Sequence, residues 1–261
     1  MPDEQQESDR TESSSVFVVV AAQESRPTVQ QEGAQVVVVG RFNPAVFSPS
    51  WFEAHQMVGP EQAADAAVQV IMPRLAVFRV GWLTCQVDDN RLTLSTETVQ
   101  EFGTLRDVAI GVLTTLPHTP ISVMGLNRFF HVLYPNVESW HRVGDVLTPK
   151  ETWEGLFSFA GMQSVAIQGS RGGQYPGSIN VMIQPSNVVR PGVFISTNDH
   201  FVLRVDETPP KTRNEFVELQ TALAVEEPSE DRVTTALQIL NKEWTASMDR
   251  ADAALQRVLT L

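Results

Sequence analysis

The residues best placed to do chemistry sit in one segment, Gly125-Leu126-Asn127-Arg128-Phe129, with His131 just beyond it. Asn127 and Arg128 interrupt an apolar run that reads as a strand. A buried amide or guanidinium is costly unless it is paired. Either an internal network or a solvent-facing parity satisfies these two residues, or they form a polar feature in a concave sheet. On the second reading Asn127, Arg128 and His131 are the candidate ligand-binding residues. No residue is assigned a catalytic role.

The remaining reactive side chains carry less. His55, His118, His131, His141 and His200 form no HExxH or other metal-spaced cluster. A structural or surface role fits them, and no metal ligand is assigned. Asp199-His200 reads as ordinary turn chemistry in a hairpin. Gly169-Ser170-Arg171-Gly172-Gly173 lacks the order of a phosphate-binding loop and no helix follows it, so it reads as a flexible hairpin loop. There is no G-x-S-x-G elbow. Cys85 lies in an apolar strand with no adjacent base, which suits an inert thiol. Asp88-Asp89 sits on a turn, where solvation is the default. No cofactor is implied.

Composition narrows the class. Hydrophobic residues make up 42% of 261, with 13 Phe and 5 Trp, enough for a sizeable core. No apolar run approaches the roughly 20 residues that span a bilayer, and the acidic N-terminus is no secretory signal. One cysteine excludes an internal disulfide framework. A cytoplasmic protein with no membrane association is expected. The net charge is −12, but residues 1–15 carry five acids against one Arg, and residues 206–231 eight acids against two bases. The body is therefore close to neutral. Its arginines are scattered, without the basic stripe that neutralises phosphates, so nucleic acid is not an expected partner.

The elements that must position these residues are strands and short helices. Residues 1–15 have no large apolar side chain and are expected to be a disordered acidic tail. Val16–Val20 reads as a strand, 25–34 as a polar loop, and Val36–Val39 as a second strand running to about Asn43-Pro44. Ser48-Pro49 is an N-cap with proline in the first turn, opening a helix through Trp51, Phe52 and His55 and ending at Gly59-Pro60. Residues 61–71 suit another short helix. Residues 76–87 read as one strand whose apolar parity flips near Trp82-Leu83, which predicts a bulge or bend. A turn at Asp88-Asp89-Asn90 leads into Arg91–Thr96. Thr98 to Glu101 is a capping box for a helix through Phe102, Leu105, Ala109, Val112 and Leu116.

The same order then recurs. Ile121–Leu133 is a strand, and Thr148-Pro149-Lys150-Glu151 opens a helix through Trp153, Leu156 and Phe157. Strands follow at 165–168, 179–183, 193–196 and 201–205, with Asn198-Asp199 as the last turn and a break at 208–211. Ser229 caps a long amphipathic helix through Val233, Leu237, Leu240, Trp244, Ala251, Leu255 and Val258, roughly 40 Å long. The expected fold is α+β: antiparallel sheets with helices on one face, an internal duplication of a β-α-β(3–4)-α unit, and a long C-terminal helix. The halves are 16–117 and 118–261.

The strand opening Gly125-Leu126-Asn127-Arg128, behind a hairpin and the 98–116 helix, resembles a sporadic bacterial family of uncharacterised α+β proteins. Members carry a Gly-Leu-Arg-Tyr-Ile-Asn-type strand there and a C-terminal helix rich in Leu, Trp and Phe. The likeness spans roughly residues 35–260, and this chain lacks the Tyr-Ile pair. The resemblance implies no activity and no site residue. The order of elements also resembles the saddle of TATA-binding-like folds, in architecture only. Two functions follow. The first is a non-catalytic binding or interaction protein, with an unknown protein partner or a homo-oligomer. The alternative is a small-ligand-binding protein or enzyme with a pocket between the sheet and the long helix around Arg128.

Overall fold

The structure, a computed structural model, describes residues 26–203 and 230–261. The acidic tail, the strand expected at 16–20, the break at 208–211 and the Ser229 cap lie outside the described residues. Among the described residues nine antiparallel strands form one open sheet. Its two central strands, β1 (Thr28–Gly40) and β6 (Ile121–Leu133), each have 13 residues. The polar loop expected at 25–34 is instead the first part of β1. Thr28 to Ala34 pairs with Leu133 to Arg128, so the ladder satisfies its backbone despite the polar side chains. A bulge between Val29 and Gln31 sets the register. After it Glu32, Ala34 and Val36 share one face, and Gln31, Gly33 and Gln35 the other.

After β1, Ser48 accepts the Trp51 N–H and Pro49 occupies the first turn of α1 (Pro49–Ala54), as its sequence requires. Gly59-Pro60 does not end that helix but opens α2 (Pro60–Ala64). The helix expected over 61–71 gives way at Ala67 to strand β2 (Ala67–Met72), since Val68, Val70 and Ile71 suit a ladder with β3 (Leu75–Val80). The parity flip near Trp82 is a hairpin, not a bulge. Gly81, at φ +56, and Trp82 form a two-residue loop into β4 (Leu83–Asp88). The Asp88 side chain accepts the Asn90 N–H at 2.7 Å in the turn to β5 (Arg91–Thr96). The Thr98 capping box does not form. A 3₁₀ turn over Val99–Glu101, closed by the Thr98 carbonyl, leads into α3 (Phe102–Thr115).

Beyond β6 the helix starts earlier than its sequence suggested. Asn136 caps α4 (Val137–Leu147) by accepting the Ser139 N–H, and Trp140, Val143 and Leu147 follow at helical spacing. Thr148 closes this helix, bonding back to the Gly144 carbonyl, so no α-helix opens at Thr148-Pro149. Residues Glu151–Trp153 make only a 3₁₀ turn. Strands β7 (Val165–Ser170), β8 (Gly177–Pro185) and β9 (Gly192–Val202) follow. The Asn198-Asp199 turn is also absent: β9 runs through it, paired to β6 by Asn127↔Asn198 and Leu126↔Asp199.

The final helix, α5 (Glu230–Leu259), has 30 residues and buries the predicted stripe except Leu237, which is half-buried. Across the sheet the order is β2-β3-β4-β5-β1-β6-β9-β8-β7. One face carries the core. Val36, Phe78, Leu94, Leu126 and Phe201 pack there with Phe52, Leu105, Leu240 and Trp244. A second cluster joins Phe130, Val132 and Ile195 to Val143 of α4 and Ala251, Leu255 and Val258 of α5. The five α-helices among the described residues all contribute to this core face.

Candidate functional site

Alternation along β6 separates the three candidate residues. Arg128 points to the core face, as do Leu126 and Phe130, whereas Asn127 and His131 lie on the opposite face with Phe129. They therefore do not form one site. The Arg128 guanidinium lies 4.6 Å from the Phe102 ring and 4.8 Å from that of Phe130. It donates to Glu32 of β1, and Asp252 of α5 stands 3.4 Å away. Its side chain is 6% exposed, so these neighbours fill the space around it.

A second polar cluster lies on the core face. Asp199, in the middle of β9, is buried beneath α5. It accepts from Arg171 Nε at 2.8 Å, Ser247 Oγ at 2.6 Å and Arg250 Nε at 3.1 Å. Arg171 also donates to Glu243 at 2.5 Å and lies over the Phe201 ring at 4.0 Å. Two arginines and two acids balance in charge, which suits a structural tie between sheet and helix. The reading of Asp199 as a turn residue missed this group. One signal marks it: inward positions Val193, Ile195, Thr197, Asp199 and Phe201 alternate without a break. Nothing in the local sequence singles out Arg171 as their partner.

The opposite face is different in kind. The register aligns Gln35, Asn127, Asn198, Asn180 and Gln168 on five successive strands, β1, β6, β9, β8 and β7. Directly opposed residues share a face, so this is a row of amides across the sheet. Asn127 Oδ1 and Asn198 Oδ1 are buried atoms with no hydrogen-bond partner among the described residues. Gly125 leaves room between them; a Cβ there would sit 3.2 Å from one oxygen and 3.4 Å from the other. On the adjoining strands β1, β6, β9 and β8 this face carries no Asp, Glu, Lys or Arg, and Arg91 on β5, opposite Val39, is the first charge beyond them.

His131 borders that row. Its Nδ1 lies 2.9 Å from Ser186 Oγ, and its ring 4.8 Å from that of Phe194. Burial lowers its pKa, and Glu97 opposes the shift. A serine beside a histidine suggests nucleophile activation. Here, though, Ser186 Oγ already accepts the N–H groups of Val188 and Val189, both at 3.1 Å, and Ser186 is buried. Its hydroxyl proton is left to reach His131, so the pair holds the loop after β8. His200, also on this face, has its pKa lowered by burial, with Asp199 opposing. Cys85 is buried, which raises its thiol pKa and keeps it inert.

Among the described residues no three His, Cys, Asp or Glu side chains gather as a metal site, and no helix is long and apolar enough to cross a membrane. A cavity of about 110 Å³ lies under α4, lined by Trp140, His141, Asp145, Lys150 and Met162, away from Arg128. Fold and face together define an α+β protein on an open nine-stranded antiparallel sheet, with helices packed against it. No known family model and no curated protein matches the chain.

Proposed function

We propose that this chain is a non-catalytic binding protein whose contact surface is the sheet face opposite the helices. The observation that carries the reading is the amide row with its two unpaired acceptors, Asn127 Oδ1 and Asn198 Oδ1. Buried acceptors without donors are costly, and a partner bringing N–H or O–H donors offsets that cost. The strands β1, β6, β9 and β8, which carry Gln35 and the three asparagines of the row, offer no cation for phosphate contacts on this face, so the proposed partner is a protein and not a nucleic acid. The pocket reading gains less support: Arg128 Nε also lacks a partner among the described residues, but the guanidinium is already held by Glu32 and Asp252 and stacked on two rings.

The same proposal treats the chain as two β-α-β(3–4)-α repeats with helices on one face only. Supporting this, β1 and β6 open the two halves and lie side by side at the centre, and the remaining strands run outward in mirrored order. The helix after each opening strand is capped by Ser48 in one half and by Asn136 in the other.

The test is a pull-down with the full chain and with Asn127→Lys/Asn198→Lys, followed by mass spectrometry. Proteins captured by the wild type should be lost from the variant while its melting temperature stays within a few degrees. Identical capture by both would refute the assignment of this face.

A further inference from the structure

Strand β7 forms one end of the sheet among the described residues. Its sequence, Val-Ala-Ile-Gln-Gly-Ser, holds no charge and no proline, and its register with β8 runs without a bulge. Charges, prolines and bulges are the means by which edge strands avoid pairing with another chain. The other edge, β2, has them: a bulge between Val68 and Val70, Asp65 before the strand, and Pro73-Arg74 after it.

The connection into β7 supplies a second observation. Trp153, Leu156, Phe157 and Phe159 are 46%, 67%, 59% and 103% exposed. No charged residue occurs from Gly155 to Ser170. Side chains of this size at this exposure leave about 500 Å² of apolar surface in all, with the Trp153 and Phe157 rings 6.2 Å apart.

We propose that a second copy of this chain pairs antiparallel along β7, with the exposed segment before β7 covered in the same interface. This surface is the free edge of β7, whose Gln168 ends the amide row, and the proposal does not depend on what that face binds. A two-fold axis normal to a sheet keeps every side chain on its own face, so it passes through a residue and not between two. Placed at Ile167, it sets that half-exposed side chain directly beside its own copy. The strand and the apolar segment together approach the roughly 800 Å² per partner of a stable interface. The contact is self-complementary and the bulged β2 edge resists pairing, so assembly closes at two copies.

The full chain should sediment at twice its 28.9 kDa at micromolar concentration. Ile167→Lys, which opposes two like charges across the axis, and Phe159→Asp should each return it to one chain. Val68→Lys, on the other edge, should leave the dimer intact. Cys85 is buried, so Ile167→Cys gives a direct readout: oxidation should yield a disulfide-linked dimer, and Val68→Cys should not. A wild type that remains one chain up to about 100 µM, weak for a specific interface, overturns the proposal. Protection of the 165–170 amides in such a monomer would mean that the chain covers its own edge. A dimer lost in Val68→Lys but not in Ile167→Lys overturns it equally, as does cross-linking in the Val68→Cys variant but not in Ile167→Cys.

Discussion

Replacing Asp199 by Ala removes the acceptor that holds three side chains between the sheet and α5. Arg171 would keep only Glu243 as a charged partner among the described residues, and its side chain is 2% exposed, so water cannot replace what is lost. Breaking a buried ion pair by removing one partner costs about 3–5 kcal/mol, because the other charge is left uncompensated. In a chain of this size that lowers the melting temperature by about 10 °C. Urea unfolding at fixed protein concentration measures it, followed by the near-UV signal and with the slope m checked for constancy. Arg250→Ala should cost about 1 kcal/mol, since that side chain is 34% exposed and partly solvated. Arg171→Met combined with Asp199→Leu should recover most of the loss, because two well-packed apolar groups leave nothing unpaired. A cost below about 1 kcal/mol for Asp199→Ala, at unchanged m, would sink the view that this cluster anchors the helix.

Three further outcomes are expected. Trp244, 5% exposed, anchors α5 on the core face, so Trp244→Ala in an Ile167→Lys background should cost about 3–5 kcal/mol; a neutral result means the helix is not docked on its own sheet. Gly33→Ala brings a Cβ to 2.5 Å from the Phe129 ring and 2.8 Å from the Thr96 carbonyl, and should cost about 1–3 kcal/mol, part of it recovered by adding Phe129→Leu; no loss of urea midpoint would contradict the register of β1 on β6. Burial lowers the pKa of both His131 and His200, so below the ordinary histidine value of about 6.5 the unfolded chain binds more protons. Stability should therefore be complete above that pH and fall as the pH drops through it, less steeply in His131→Asn; a urea midpoint that rises on acidification from pH 7.5 to 5.5 would refute this.

What the sequence made legible depended on where the deciding contacts lie. Ser48-Pro49, the turn at Asp88 and the stripe from Val233 to Val258 were readable because capping, turn chemistry and helical period act within a few residues. The first part of β1 was not. Thr28 to Ala34 has the composition of a loop, and only the ladder with β6, about a hundred residues away in sequence, makes it a strand. Asn198-Asp199 misled for the same reason, since a turn-forming pair was overruled by pairing on both sides. The flip near Trp82 is visible in the sequence but its device is not: a two-residue glycine loop reverses the chain and shifts parity much as a bulge does. The Thr148-Pro149 signal failed against Asn136, which starts a helix twelve residues earlier and leaves Thr148 to end it.

The polar interruption of β6 shows how far alternation alone can carry an assignment. Asn127 and Arg128 are neighbours in sequence, yet a strand sends them to opposite faces. On the core face the charges of the buried arginines are balanced, Arg128 by Glu32 and Asp252 and Arg171 by Asp199 and Glu243, beneath a helix that supplies Asp252 and Glu243, while Arg128 Nε has no hydrogen-bond partner among the described residues. Such pairs fix the position of α5 along the sheet, which its smooth apolar stripe would leave free to slide by a turn. Across the strand, Asn127 and Asn198 place two acceptor oxygens over Gly125 with nothing among the described residues to answer them. Of the three buried side-chain polar atoms left without a partner among the described residues, two are these oxygens, side by side on one face, and the third is Arg128 Nε on the other; donors brought by another molecule would offset the cost of the oxygen pair.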